Sequence, residues 1–273
     1  MQDKEEEKIE VKTKSMMPQL IAEFIGTFAI VFFGGWAYLQ MEKDPTKFNW
    51  SAVAITQGLV QGACVWAAQS ISGGFFNWAV TLAIGSLRKI TPNECFSFII
   101  VQTLGSLFAG FMIDILTPDS WDTKSITKMG FPKLDSDTYS ETVGFFAELI
   151  GTGIYMYCVM AFKYDARMPK SIYGITAGAG IMLAIVSIGP ITGASLNPAR
   201  IIGPILITMI FGSSRIDIYK ELNVYWFYFL GPIFGALLVG FYYEFFMLEE
   251  EEQDLNLSVA TYEADDEIDR LKI

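Results

Sequence analysis

The sequence predicts an all-α membrane protein with six transmembrane helices and two re-entrant half-helices arranged as an inverted repeat. Three observations predict it. Of the 273 residues, 52% are hydrophobic, above the usual soluble composition, and they are gathered into long unbroken runs. Six of those runs are near the length that crosses a hydrocarbon core of about 30 Å, and two are too short. The whole pattern then recurs at a nearly constant offset.

Taken in order, residues 1–16 are a polar, charge-mixed tail with no apolar stretch ahead of a cleavage site, so no cleavable signal peptide is expected. The apolar runs at 17–40, 50–70, 94–116, 141–162, 171–189 and 223–247 are read as crossings. Two short pieces, 76–87 and 197–210, each follow a Gly- or Ser-rich approach. The second opens on Asn197-Pro198-Ala199-Arg200. Asn is a good N-cap, and Pro suits the first helical position because its missing N–H would be orphaned there anyway. A helix that starts inside a membrane needs partners for its first N–H groups.

An even number of crossings puts both termini on one side. The loops on that side hold nine cations (Lys4, Lys8, Lys12, Lys14, Arg88, Lys89, Lys163, Arg167, Lys170) against seven opposite (Lys43, Lys47, Lys124, Lys128, Lys133, Arg215, Lys220). That weak bias makes the termini cytoplasmic; the plasma and vacuolar membranes are not distinguished. The sequon Asn49-Trp50-Ser51 would then face outward, but it abuts a helix, out of reach of glycosylation.

The repeat is explicit. Ala22-Glu23-Phe24-Ile25-Gly26-Thr27 returns as Ala147-Glu148-Leu149-Ile150-Gly151-Thr152, Asn77-Trp78-Ala79 as Asn197-Pro198-Ala199, and Gly105-Ser106 as Gly231-Pro232, in the same order. Each copy, about 17–116 and 141–247, is helix, helix, short helix, helix. Three crossings per copy invert the second copy relative to the first, which places a site near the midplane where the broken helices meet.

Charge is concentrated at one end. The net −11 includes a tail, residues 248–273, with ten carboxylates against Arg270 and Lys272, leaving about −3 for everything before it. Such a tail cannot bury enough apolar surface to fold alone, and solvated disorder is expected there, with no particular partner implied. The sequence has no His, removing the commonest general base and metal ligand. Cys64, Cys95 and Cys158 are scattered in apolar stretches and read as packing residues. No enzyme activity, metal, cofactor or nucleic-acid partner is expected.

The paired Glu helices, together with Ser72-Gly73-Gly74-Phe75-Phe76-Asn77-Trp78-Ala79 and Thr192-Gly193-Ala194-Ser195-Leu196-Asn197-Pro198-Ala199-Arg200, resemble the aquaporin (major intrinsic protein) family over about residues 17–247. The resemblance implies an aquaporin-like fold, a homotetramer with one pore per subunit in the lipid bilayer, and passive passage of water or small neutral solutes. It makes Asn77 and Asn197 the pore Asn pair, within NPA-type motifs that continue through Trp78, Ala79, Pro198 and Ala199. Each Asn would offer an NH₂ donor to a passing oxygen, and water accepting from both cannot readily hand a proton along the file. Glu23 and Glu148 would accept hydrogen bonds from the re-entrant loops; a proton relay is the alternative role for carboxylates at this depth. The carbonyls of Gly73, Gly74, Thr192 and Gly193 would line the path.

The same resemblance places a selectivity constriction at Gln57, Ile185, Ala194 and Arg200. Arg200 matches the family, and its fixed guanidinium donates to solute oxygen while repelling cations. Gln57 and Ile185 match neither the Phe and His of strict water channels nor the Trp and Gly of glycerol facilitators. Ile201 stands where glycerol facilitators carry Asp, and Tyr228-Phe229 resembles the aromatic pair of water channels, so the balance tilts toward water. Trp78 departs from the family Pro and would either pack outward or narrow the centre. Ala194 stands where mercury-sensitive members carry Cys, so mercurials are expected to block weakly. A water channel is therefore the leading expectation. The alternatives are a glycerol or urea facilitator, a coupled transporter, and a non-conducting structural protein.

Overall fold

The computed structural model describes residues 15–118, 130, 132–211 and 225–248. Its long helices are α1 (Met17–Lys43), α2 (Trp50–Ala68), α4 (Pro92–Leu116), α5 (Glu141–Val159, extended by a π turn Met160–Tyr164), α6 (Tyr173–Thr192) and α8 (Phe227–Tyr242, extended by a π turn Tyr243–Met247). The short ones are α3 (Trp78–Ser86) and α7 (Pro198–Phe211). Among the described residues, six helices are thus long and apolar enough to cross a membrane, and two half-helices stand where the repeat requires them. The chain is an integral multi-pass membrane protein. Its outer faces carry Leu59, Phe96, Ile210 and Phe246, each about two-thirds exposed, where a soluble protein would expose charge. Of the acidic tail expected to be disordered, all but Leu248 lies outside the described residues.

Local chemistry explains the helix ends. Asn49 caps α2 by accepting from the Ala52 N–H at 3.2 Å. At α4, Thr91 and Glu94 form a reciprocal capping box with Pro92 in the first turn. The helix therefore begins two residues before the apolar run. Conversely, α6 runs three residues beyond its apolar stretch, through Pro190, because left-handed Gly193 closes it by donating to the Gly189 carbonyl at 2.8 Å.

The helices pair twice in the same way. α1 packs on α4 as α5 packs on α8, and α2 crosses α6 between the two halves. Small residues permit the approach: a Cβ on Gly105 would lie 2.5 Å from the Phe24 carbonyl oxygen, and one on the equivalent Gly231 2.9 Å from that of Phe145. At the α2–α6 crossing, a Cβ on Gly178 would lie 2.4 Å from the Gly58 oxygen. Without hydrophobic drive between helices in lipid, such backbone-to-backbone packing is what holds them.

The bundle end that carries the start of α1 and the end of α8 is latched. Asp165, after the α5 π turn, accepts from Arg167 Nε at 3.0 Å, Arg167 Nη2 at 2.8 Å and the Tyr243 hydroxyl at 2.6 Å. Arg167 also reaches the Met247 carbonyl at 3.1 Å. The Arg167 guanidinium first, then the Tyr243 hydroxyl, hold the Asp165 carboxyl well below the usual carboxylate range. Lys89 and Glu244, 2.6 Å apart, tie the α3–α4 turn to the same place.

Candidate functional site

The site is built by two loops that enter from opposite faces, each held by one buried carboxylate. Glu23 Oε1 accepts from the Ser72 hydroxyl at 2.6 Å and the Phe75 N–H at 3.1 Å, and Oε2 from the Phe76 N–H at 2.8 Å. Glu148 Oε1 accepts from the Thr192 hydroxyl at 2.7 Å and the Ser195 N–H at 2.9 Å, and Oε2 from the Leu196 N–H at 2.6 Å. The equivalence extends to Gly74 and Ala194, whose N–H groups donate back to the Ser72 and Thr192 hydroxyls at 3.1 and 3.0 Å. These loop donors are thus satisfied by protein groups, as membrane depth demands.

Phe76 and Leu196 show what this clamping achieves. Both lie in the left-handed region, at φ 52° and 57°, where a non-Gly side chain is strained by about 1–2 kcal/mol. A carboxylate oxygen holds each N–H, and each carbonyl consequently turns toward the opposite loop. The Phe76 oxygen accepts from Asn197 Nδ2 and the Leu196 oxygen from Asn77 Nδ2, both at 2.8 Å. Each Asn also caps its own half-helix: Asn77 Oδ1 accepts from the Ala79 N–H at 2.8 Å, and Asn197 Oδ1 from the Ala199 N–H at 2.9 Å. One of the two N–H bonds of each amide is therefore committed to protein, and one is left for anything between them.

α3 and α7 thus begin against each other, and their N-terminal partial charges, about +0.5 apiece, converge. Trp78 adds a bond that the proline expected there would forbid. Its backbone N–H donates to Asn197 Oδ1 at 3.3 Å. Its ring lies 6.4 Å from that of Phe229 on α8, between helices, and does not line the cavity between the Asn residues.

That cavity brings together Asn77, Asn197, Gln57, Ile185, Ala194 and Arg200, with Ile30, Gln61, Ile181, Ser195 and Leu196 completing its wall. The space open to a water centre is about 10 Å³, at the limit of what one water needs. Arg200, at the start of α7, donates from Nη1 to the Ala194 carbonyl at 2.6 Å. With the Gln57 amide oxygen assigned toward it, Gln57 accepts from Arg200 Nε at 3.0 Å and Nη2 at 3.1 Å.

From the second re-entrant loop, Ala194 to Asn197 supply the wall of this cavity. Gly73, Gly74, Thr192 and Gly193, the backbone expected along the path, are not among the residues that line this part of it. The Thr192 carbonyl accepts from the Tyr228 hydroxyl at 2.5 Å. Gly193 at φ 76° and Gly73 at φ 108° have left-handed backbone, and a Cβ on them would run into Pro132 and the Phe75 ring. Glycine takes up both conformations without the strain that a side chain would meet.

A match to the family model described as Major intrinsic protein spans residues 10–243. The chain belongs to the major intrinsic protein family. Among relatives, "Aquaporin AqpM" of Methanothermobacter thermautotrophicus is 32% identical, over 86% of this chain and 99% of that protein. "Nodulin-26" of Glycine max is 30% identical, over 83% of this chain and 77% of its own length. The aquaglyceroporin structure from Plasmodium falciparum superposes with a TM-score of 0.75 over 85% of this chain and 97% of that one, at 22% identity, a likeness of fold. As a member of this family, the chain is a passive, non-catalytic channel for small molecules.

Several residues of this major intrinsic protein escaped sequence reasoning. Gln102 donates to Glu23 Oε2 and to the Thr81 hydroxyl at 2.8 and 2.9 Å; in the second half Tyr228 stands at the equivalent place and braces a loop carbonyl instead. Ser106 Oγ holds the Ala199 carbonyl. Gln61 donates to the Tyr155 hydroxyl at 2.6 Å. Their signal was available: each is a polar residue inside an apolar run, and Gln61 lies one helical turn from Gln57.

Proposed function

We propose that this channel conducts water in single file and excludes ions and protons. The observation that carries the reading is the cavity at Arg200, whose space for a water centre is about 10 Å³. That admits one water at a time, and a three-carbon polyol needs several times as much. Within it, Gln57, Ile185, Ala194 and Arg200 act as the selectivity constriction, and Asn77 and Asn197 as the midplane donors. The guanidinium repels cations before they meet the converging half-helix charges. A water that accepts from both Asn amides turns its hydrogens outward, which interrupts proton transfer along the file.

Glu23 and Glu148 serve as loop supports in this reading, not as proton carriers. Their oxygens accept from loop donors, and neither residue lines the cavity. Trp78 packs against α8 instead of obstructing the centre. The chain works as a homotetramer with cytoplasmic termini, as the family and the cation bias favour. Stopped-flow light scattering of proteoliposomes tests the function: vesicles shrink against an impermeant osmolyte much faster than empty ones. Equal rates overturn the proposal, and fast swelling in glycerol or urea with slow water flux would make it a solute facilitator.

A further inference from the structure

We propose that Gln57 is a positioning residue for Arg200 and not a donor to the permeant, and that Gly34 on α1 keeps it in that role. The inference rests on the pore reading above. It starts from the arginine. Three of its five N–H donors are taken by protein: Nη1 by the Ala194 carbonyl at 2.6 Å, and Nε and Nη2 by the Gln57 amide oxygen at 3.0 and 3.1 Å. The guanidinium is thereby fixed from two directions, by a re-entrant carbonyl and by α2. One N–H on each terminal nitrogen remains for the passing solute.

Gly34 stands directly against the amide oxygen that meets the guanidinium. A Cβ there would fall 1.7 Å from the nearer terminal atom of the Gln57 amide and 2.2 Å from its Cδ. The Gln57 side chain therefore fills the volume that any side chain at position 34 would need. A substitution at 34 must move the amide from its place on the guanidinium, because both residues are buried. The neighbouring Gln61 has a separate task, donating to the Tyr155 hydroxyl. Two glutamines one turn apart on one face thus do different work.

The choice of an amide has a physical reason. A carboxylate at 57 would satisfy the same two N–H groups more strongly, but it would cancel the guanidinium charge. The neutral acceptor fixes the plane of Arg200 while leaving its full positive charge to act on cations.

The test uses the full chain in vesicles, reading water flux, urea flux and potassium leak, with thermal unfolding of the same proteins. Gln57→Glu raises the ratio of potassium leak to water flux by about tenfold or more, the effect of compensating a unit charge a few ångströms from the path. Gln57→Leu frees the guanidinium and raises the urea-to-water ratio. Gly34→Ala cuts water flux about tenfold, yet adds nothing in a Gln57→Ala background, where the contested volume is empty. The same pair read by melting temperature shows the coupling without any flux. An unchanged leak ratio in Gln57→Glu, or additive effects of Gly34→Ala and Gln57→Ala, overturns the proposal. Wild-type vesicles that pass no water, with the thermal coupling intact, would instead overturn the pore reading and leave the Gly34–Gln57 contact standing. If Gly34→Ala does not fold, the Gln57→Glu leak ratio decides alone.

Discussion

Replacing Glu148 by Gln separates loop support from proton relay. The variant keeps the size of the side chain and one oxygen, but it puts an NH₂ where an acceptor stood. With that nitrogen on one side it meets the Leu196 N–H, which now sits 2.6 Å from its acceptor. On the other side it meets the Ser195 N–H and the Thr192 hydroxyl, at 2.9 and 2.7 Å, and only the hydroxyl can turn round to accept. Either way one buried backbone N–H loses its charged acceptor, a cost of about 1–3 kcal/mol. A loss near the middle of that range lowers the melting temperature by roughly 3–4 °C for a chain of this size. Glu148→Ala orphans all three donors and falls further. Water flux drops in step with stability, because the Leu196 carbonyl that anchors Asn77 is aimed by this contact. The assay is intrinsic-fluorescence melting beside stopped-flow flux on one preparation. A variant that melts like the wild type but has lost transport would refute the support role and favour a relay.

Three further expectations follow from the same geometry. Trp78→Pro restores the family residue but deletes the N–H donated to Asn197 and the ring packed near Phe229; it destabilises by about 1–3 kcal/mol and raises water flux no more than about twofold, since the ring is off the path. A severalfold rise in flux would show that Trp78 obstructs. Ala194→Cys places a thiol in the cavity wall and converts weak mercurial block into strong, reversible block, measured with and without thiol reductant; strong block of a variant that keeps Ala194 and lacks Cys64, Cys95 and Cys158 would refute the reasoning. The Asp165 latch is insensitive to pH across the neutral and mildly acidic range. A carboxyl held low in the folded state contributes stability above its unfolded value, about 3.9, and loses it as pH falls through the lower folded value. Hydrogen exchange at Met247 and Leu248 reads this: protection is constant from about pH 8 to pH 5 in the wild type and lower throughout in Asp165→Asn.

Much of this molecule is written in one dimension. Crossing number is legible because a bilayer imposes length and apolarity on any helix that spans it, as the 17–40 and 94–116 runs display. The inverted repeat is legible because Glu23 and Glu148, and Asn77 and Asn197, are polar residues that a membrane interior excludes unless they have work there. The helix ends were less so. α6 outruns its apolar stretch through Pro190 because a left-handed glycine closes it, and α4 begins early because of a capping box.

What only the tertiary structure decided is the use of each polar atom. Sequence marks Asn77, Asn197, Gln57 and Arg200 as polar groups at pore depth, but not which N–H is spent on protein and which is left for water. That depends on partners from elsewhere in the chain: the Phe76 and Leu196 carbonyls for the asparagines, and the Gln57 amide for Arg200. The Thr192 carbonyl turns to Tyr228, and the Trp78 ring to α8, for the same reason. Hydrogen bonds and close packing are short-ranged and directional, so contacts between residues some 120 positions apart exist only once the two halves have closed on each other.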